Sequence, residues 1–153
     1  MGTDIRHYAT WWEILADARG DHDALVHGGV RRSWGAYDDR AARLASAFGD
    51  AGAGVGTKVA LYLHNCPEYL EANAAALKMR AVAVNVNYRY LDDELAYLLT
   101  DSEAEILVFH RSLGDRVARV VDRVPGSRCS SRSTTAQRRR GPSTSPARCP
   151  SRS

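Results

Sequence analysis

The chain has 153 residues, enough for one domain, and its 44% hydrophobic and 25% charged residues are ordinary for a globular protein. Its charge is uneven: the body (residues 1–126) carries a net −4, and the tail (residues 127–153) carries +7 with no acidic residue. The net charge of +3 therefore comes from the tail, and the acidic body argues against a nucleic-acid partner. No stretch approaches the roughly 18 consecutive apolar residues that a membrane span requires.

Cysteine usage and the N-terminus indicate the cellular compartment. The three cysteines, Cys66, Cys129 and Cys149, lack metal-ligand spacing, and an odd, sparse count favours a reducing cytoplasm. The first residues show no basic region followed by an apolar stretch, and Arg6 stands where a myristoylation signal requires Ser or Thr. We therefore expect a cytoplasmic protein.

The first predicted elements are a helix and a hairpin. Apolar residues recur at helical spacing over residues 7–19, and Gly20 follows as a stop. Short strands at residues 24–34 are then separated by Gly28 and Gly29, which suit a two-residue turn with positive φ.

A longer amphipathic helix is predicted at residues 35–51. Ser33 is placed to cap its start, and Gly52 is placed to end it. The apolar residues of this segment repeat at the helical period and form one stripe: Tyr37, Ala41, Leu44, Ala45 and Phe48.

Strands and helices alternate over the rest of the body. Apolar runs at residues 58–63, 81–86 and 105–109 predict strands that are buried on both faces. Helices are expected after them, starting near Pro67, Asp92 and Ser112. This order predicts an α/β fold, a partial and mostly parallel sheet with flanking helices and an N-terminal β-hairpin. Because a three-stranded sheet leaves an edge exposed, we also expect self-association or dependence on a chaperone.

The tail has a different composition, without Leu, Ile, Val, Met, Phe, Tyr or Trp. Such a segment buries too little apolar surface to offset chain entropy, so we predict an Arg/Ser/Pro-rich disordered tail at residues 127–153. A nucleic-acid-binding arm is a weaker interpretation, since the arginines at 138–140 have no aromatic neighbour for stacking on bases. We favour a shifted reading frame as the tail's origin, because GC-rich DNA encodes these residue types in a wrong frame.

The segment from His64 to Asp101 has the most specific pattern. After a strand it contains an Asn-x-Pro-Glu turn, a helix with Ala-Ala-Leu-Lys, a Val-rich strand, an Asn-containing loop and a Glu-Leu-x-Tyr-Leu-Leu helix. This ordered set resembles the N-terminal region of AMP-forming acyl- and aryl-CoA synthetases of the adenylate-forming superfamily, over about residues 8–126. Residues 85–90 look most like fatty-acid or steroid-side-chain acyl-CoA synthetases.

The resemblance implies a two-step reaction with ATP, Mg²⁺ and CoA. A carboxylate attacks the α-phosphate of ATP, which gives an acyl-adenylate and pyrophosphate, and CoA then displaces AMP as a thioester. Residues 1–126 would be the N-terminal portion of the large domain, and incomplete.

The family's catalytic motifs have no counterpart in this sequence. Its phosphate loop, rich in Ser, Thr and Gly and ending in Pro-Lys, is missing, since Thr134 and Thr135 have neither glycines nor a following Lys. The C-terminal domain with its catalytic Lys is also missing. We therefore assign no catalytic, cofactor-binding or metal-binding residue and predict a chain that is inactive alone and binds these ligands poorly. The alternative is a small regulatory or binding module derived from a synthetase N-terminus.

Two features near strand ends suggest ligand binding, and we favour a structural interpretation of each. His64 follows a strand, where parallel sheets often bind ligands, but we expect a turn histidine that pairs with nearby backbone. Asn85, Asn87 and Arg89 could line a cleft or a dimer face, and we expect them to set the geometry of a turn.

Three further features have structural interpretations. The acidic run at residues 92–94 has the composition of a metal cluster, but negative charge is favourable at a helix N-terminus. Cys66 lies beside a helix start, which can lower a thiol pKa, yet we expect a structural cysteine. Trp11 and Trp12 are expected to pack in the core or between domains.

Overall fold

Helices and strands alternate through the computed structural model, which describes residues 7–124 and the backbone of residues 128–130. The helices are α1 (Tyr8–Arg19), α2 (Trp34–Asp50), α3 (Pro67–Lys78), α4 (Asp92–Asp101) and α5 (Gly114–Val120). The strands are β1 (Asp23–His27), β2 (Val30–Ser33), β3 (Lys58–Tyr62), β4 (Val82–Asn85), β5 (Ile106–Phe109) and β6 (Arg128–Ser130). Short 3-10 turns at Arg111–Leu113 and Val121–Arg123 flank α5.

The main sheet is parallel and has the strand order β4-β3-β5-β6. Its register places Leu61 of β3 opposite Asn85 of β4, and Tyr62 of β3 opposite Phe109 of β5. The predicted fold class is confirmed, including the three parallel strands of the body and the separate antiparallel hairpin of β1 and β2.

Strand β6 lies inside the segment predicted to be disordered. The backbone of β6 pairs with that of β5. Without β6, the backbone N–H and C=O groups on that side of β5 would lie at an open edge of the sheet. The disorder prediction for the tail as a whole stays a prediction. The rest of the tail, residue 127 and residues 131–153, lies outside the described residues, as do residues 125 and 126.

Helices cover both faces of the sheet, because successive residues of a strand point to opposite sides. On one face, Ala60 and Tyr62 belong to a core cluster with residues of α4 and α5. On the other face, Val59 and Leu61 belong to a cluster with residues of α2 and α3. Strand β4 is less buried than predicted. In the described structure it is the edge strand of the sheet, beside β3, and the side chain of Val82 is 49% exposed.

A smaller cluster joins the N-terminal elements to α2 and α3. The Trp12 ring packs edge-on against Tyr37, with 6.1 Å between ring centroids. Trp11, in contrast, is 52% exposed in the described structure, so packing in the core holds for Trp12 and not for Trp11, for which packing between domains stays a prediction. The reason is the orientation of α1, which turns Ala9 and Ala16 inward.

The predicted turn and cap residues at the hairpin are confirmed. Gly28 and Gly29 have φ values of 55° and 80°, the positive values that the two-residue turn requires. Ser33 caps α2, since its hydroxyl oxygen accepts a hydrogen bond of 3.3 Å from the Ala36 N–H. None of the helices in the described part of the chain has the length and apolar character needed to cross a bilayer.

Candidate functional site

Polar and aromatic side chains collect at the carboxyl ends of the parallel strands, where α/β sheets bind ligands. His64 follows β3, Tyr88 follows β4, and His110 follows β5 directly. The His64 ring centroid lies 4.8 Å from that of Tyr88 and 4.8 Å from that of His110. With Ser112, these side chains form what we call the edge cluster.

The Ser112 hydroxyl bridges the two imidazoles. It lies 3.1 Å from His64 Nε2 and 2.8 Å from His110 Nδ1. The Ser112 backbone N–H also donates to His110 Nδ1, so this nitrogen is an acceptor and carries no proton. The Ser112 hydroxyl then donates to His110, and His64 Nε2–H donates to the hydroxyl. His64 therefore pairs with a side chain, which differs from the backbone pairing expected for it.

The environment of His110 favours its neutral form. Burial lowers the pKa of His110 below its usual value, and the neighbouring His64 lowers it further, while Glu68 acts in the opposite direction. A neutral His110 is also what the hydrogen bonds from Ser112 to Nδ1 require. His110 also caps the 3-10 turn that precedes α5, and α5 itself begins at Gly114, two residues after Ser112, near which a helix was expected to start.

The loop between β4 and α4, residues 86–91, forms one wall of the cluster. Asn87 closes a turn in it: the Asn87 side-chain oxygen accepts from the Arg89 N–H at 3.0 Å, and its carbonyl accepts from the Tyr90 N–H at 3.0 Å. This is the turn-forming role expected of Asn87. The Arg89 guanidinium carbon lies 5.6 Å from the centroid of the Tyr88 ring, within cation–π range.

The acidic run at the start of α4 pairs with arginines. Asp92 accepts two hydrogen bonds from Arg119, at 2.7 and 3.0 Å, and these bonds lower the pKa of Asp92. Asp93 accepts from Arg123 at 2.8 Å. These contacts match the interpretation of the run as a charged helix N-terminus. Within residues 7–124, no group of three or more His, Cys, Asp and Glu side chains is arranged to hold a metal ion.

Cys66 lies on a shallow groove of ≈ 370 Å³ between the hairpin and the start of α3. Burial raises the pKa of the Cys66 thiol, so the reactive thiolate is disfavoured. This agrees with a structural cysteine. The groove is lined by Leu25, Val26, His27, Asn65, Cys66, Pro67, Tyr69 and Leu70.

Sequence analysis identified His64 as a candidate but missed His110 and the bridging role of Ser112. It also missed Tyr62 and Arg116, which lie beneath the loop at residues 86–91. One signal was available, because each histidine of the cluster comes within two residues of the end of a predicted strand.

A family model described as AMP-binding enzyme matches residues 12–148 of the chain. The chain is 38% identical over 113 residues to a medium/long-chain-fatty-acid–CoA/3-oxocholest-4-en-26-oate–CoA ligase of Mycobacterium marinum, covering 74% of this chain and 20% of that protein. It is 37% identical over 113 residues, with the same coverage, to a 3-oxocholest-4-en-26-oate–CoA ligase of Rhodococcus rhodochrous.

Solved structures show the same fold. A protein of Rhodopseudomonas palustris CGA009 assigned as a long-chain-fatty-acid CoA ligase gives a TM-score of 0.78 at 30% identity, covering 86% of this chain and 34% of that one. An anthranilate CoA ligase in complex with anthranoyl-AMP gives a TM-score of 0.76 at 19% identity, covering 80% and 24%.

Fold and comparisons together define an α/β chain of the adenylate-forming class. The chain belongs to the AMP-binding enzyme family, which confirms the resemblance found in the sequence. It spans about a fifth of the length of the curated relatives that it matches.

Proposed function

We propose that this chain forms the N-terminal α/β part of an AMP-forming acyl-CoA ligase. The whole reaction converts ATP, CoA and a carboxylic acid into acyl-CoA, AMP and pyrophosphate. The observation that carries the proposal is the collinear identity with ligases named for fatty acids and for a steroid side-chain acid. Those names make a medium- or long-chain fatty acid or a steroid side-chain acid the proposed acyl substrate. They do not favour the regulatory module considered as the alternative.

The edge cluster has chemistry that suits a nucleotide. The Tyr88 and His64 rings lie side by side at the carboxyl edge of the sheet, and aromatic rings of this kind can stack on bases. Arg89 adds a planar cation that can pair with phosphate oxygens. The residues described in the structure offer no group of three or more ligating side chains, so Mg²⁺ that accompanies ATP would be held mainly by the phosphates and by other parts of the enzyme.

We propose further that the chain is inactive by itself. Phosphoryl chemistry requires donors aimed at the developing negative charge, and the sequence has no phosphate loop to supply them. A cytoplasmic location remains part of the proposal, supported by the sparse cysteines. Self-association or chaperone dependence also remains, supported by the one-sided pairing of β4 and by the exposure of Val82.

The experiment measures acid-dependent release of pyrophosphate from Mg-ATP in the presence of CoA and a long-chain fatty acid. The 153-residue chain is assayed alone, and then with the part of the Mycobacterium marinum relative that follows its matched segment, supplied as a separate polypeptide. We expect no turnover by either polypeptide alone and turnover by the mixture. A Leu61→Asp chain, whose sheet cannot form, is the control and should restore nothing, because Leu61 is fully buried.

Two results would contradict the proposal. Turnover by the 153-residue chain alone would show that the chain does not need the missing motifs. A mixture in which the two polypeptides neither associate nor react would show that this chain does not form the family's N-terminal part.

A further inference from the structure

Two side chains beneath the loop at residues 86–91 converge on its backbone. Tyr62, the last residue of β3, is fully buried, and its hydroxyl lies 3.0 Å from the Tyr90 carbonyl oxygen. Arg116 Nη1 lies 2.8 Å from that carbonyl oxygen and 2.8 Å from the Tyr62 hydroxyl oxygen. The Tyr88 carbonyl oxygen lies 3.4 Å from both side chains. The loop is therefore bonded to the end of β3 and to α5 through its carbonyl groups.

Arg116 is itself held at the junction of α4 and α5. Its Nε atom is buried and lies 3.8 Å from an Asp92 carboxylate oxygen, and the same carboxylate is bonded to Arg119. Outside the loop, the guanidinium donates to the Tyr62 hydroxyl and lies near this carboxylate, while its Nε has no hydrogen-bond partner in the described structure. A side chain fixed in this way has less freedom to follow the loop when the loop moves, so it acts as an anchor.

We propose that Arg116 is a positioning residue, which fixes the loop at residues 86–91 so that Tyr88 faces His64. The Asn87 turn closes the loop on itself, but bonds within a loop do not orient it relative to the sheet. The Tyr88 carbonyl belongs to the peptide between residues 88 and 89, and the Tyr90 carbonyl to the peptide between residues 90 and 91, so bonds to both carbonyls hold the backbone before and after the Arg89–Tyr90 peptide. The direction of the Tyr88 ring and of the Arg89 guanidinium then follows.

One part of this inference rests on the proposed function, namely that the loop faces a nucleotide substrate. How the loop is held follows from the contacts alone. The two claims are therefore tested by separate measurements on the same 153-residue chain, one on the loop without ligand and one with Mg-ATP or CoA as the probe.

The first measurement is amide hydrogen exchange at Arg89 and Tyr90, whose N–H groups close the Asn87 turn. In Arg116→Met we expect exchange to become about 10- to 100-fold faster, as befits loss of charge-assisted hydrogen bonds from a guanidinium. The His64 ring proton shifts should also move, because the Tyr88 ring no longer lies beside them. Arg116→Lys should recover part of the protection, since an ammonium can donate to the same carbonyls.

Arg123→Met is the matched control. It removes an arginine ion pair to the start of α4, the contact with Asp93, without touching the loop. We expect no change in exchange at Arg89 or Tyr90 and no change in the His64 signals. Unchanged exchange in Arg116→Met, or the same acceleration in Arg123→Met, would overturn the inference. If Arg116→Met does not fold, Tyr62→Phe decides, because it removes the shared hydroxyl, and unchanged exchange at Tyr90 again overturns it.

Binding of Mg-ATP and CoA separates the inference from the proposed function. Weaker binding in Arg116→Met than in the original chain, with faster loop exchange, supports both. Faster loop exchange in Arg116→Met, with the same affinity for each probe as in the original chain, supports the positioning role and counts against a nucleotide at the edge cluster.

Discussion

Glu71 of α3 ties three elements together, and its removal should have a large effect on stability. Its side chain is only 6% exposed and accepts hydrogen bonds from Arg32 of β2 and from Arg40 Nε of α2, the second at 2.7 Å. Glu71→Ala leaves both guanidiniums without this partner. Removing one member of a buried ion pair costs about 3–5 kcal/mol. We expect the lower end, about 3 kcal/mol, because Arg32 keeps Glu68 at 3.2 Å and Arg40 is 36% exposed.

The assay is urea unfolding of the original chain and of the variant. With a slope of about 1–3 kcal/mol/M for a small protein, a loss of about 3 kcal/mol lowers the midpoint by about 1–3 M. Glu103→Ala is the matched control, since Glu103 is 79% exposed and lies 3.4 Å from Lys58. Such a surface pair contributes about 0–1 kcal/mol. Equal midpoints for Glu71→Ala and Glu103→Ala would refute the claim that Glu71 holds the hairpin and α2 to α3.

Two further predictions concern pH and backbone conformation. Burial and His64 lower the folded-state pKa of His110, so the unfolded chain binds this proton more readily, and the free energy of unfolding should fall as the pH drops through about 6.5. His110→Asn should reduce this fall more than His27→Asn in the exposed hairpin, and equal curves would contradict the prediction. Gly29→Ala should cost about 1–2 kcal/mol in a denaturation assay, because Gly29 has a φ of +80° with open space around it. Gly54→Ala, also in open space but without positive φ, should be neutral or slightly stabilising, and a loss equal to that of Gly29→Ala would show that φ is not the cause.

The sequence predicts the order and type of the elements because each one has a local signal. The stripe of α2, the glycine pair of the hairpin and the apolar runs of β3 and β5 all reflect which face a residue presents to the core. It is harder to predict which face of a helix is buried when the helix packs against two neighbouring elements. The sequence suggests Leu70, Ala74 and Leu77 as the buried face of α3. In the structure Ala74 is buried as predicted, but Leu70 is 39% exposed, and Ala72, Ala75 and Ala76 are buried as well.

Packing on two sides explains this choice of face. Helix α3 contacts both the sheet and α2, and small side chains permit that close approach. The prediction that β4 is buried on both faces was wrong for a related reason. Its apolar composition resembles that of β3, but its place at the edge of the sheet depends on pairing between distant segments. Strand order is a property of the whole chain, so local periodicity could not predict the exposure of Leu70 or of Val82.

The candidate site was harder to predict than the fold because its contacts join side chains to distant backbone. Arg116 and Tyr62 are 54 residues apart, and both bond to the Tyr90 carbonyl oxygen. The continuous apolar run of β3 predicts that Tyr62 is buried, but it does not require the hydroxyl at its tip to reach a loop. Leu61 and Phe48 belong to the core on the opposite face of the sheet, between the sheet and the helices α2 and α3. Substitutions in that core should therefore lower the free energy of unfolding and leave the His64 signals of the folded chain in place. Arg116 substitutions should instead shift the His64 signals and cost less stability.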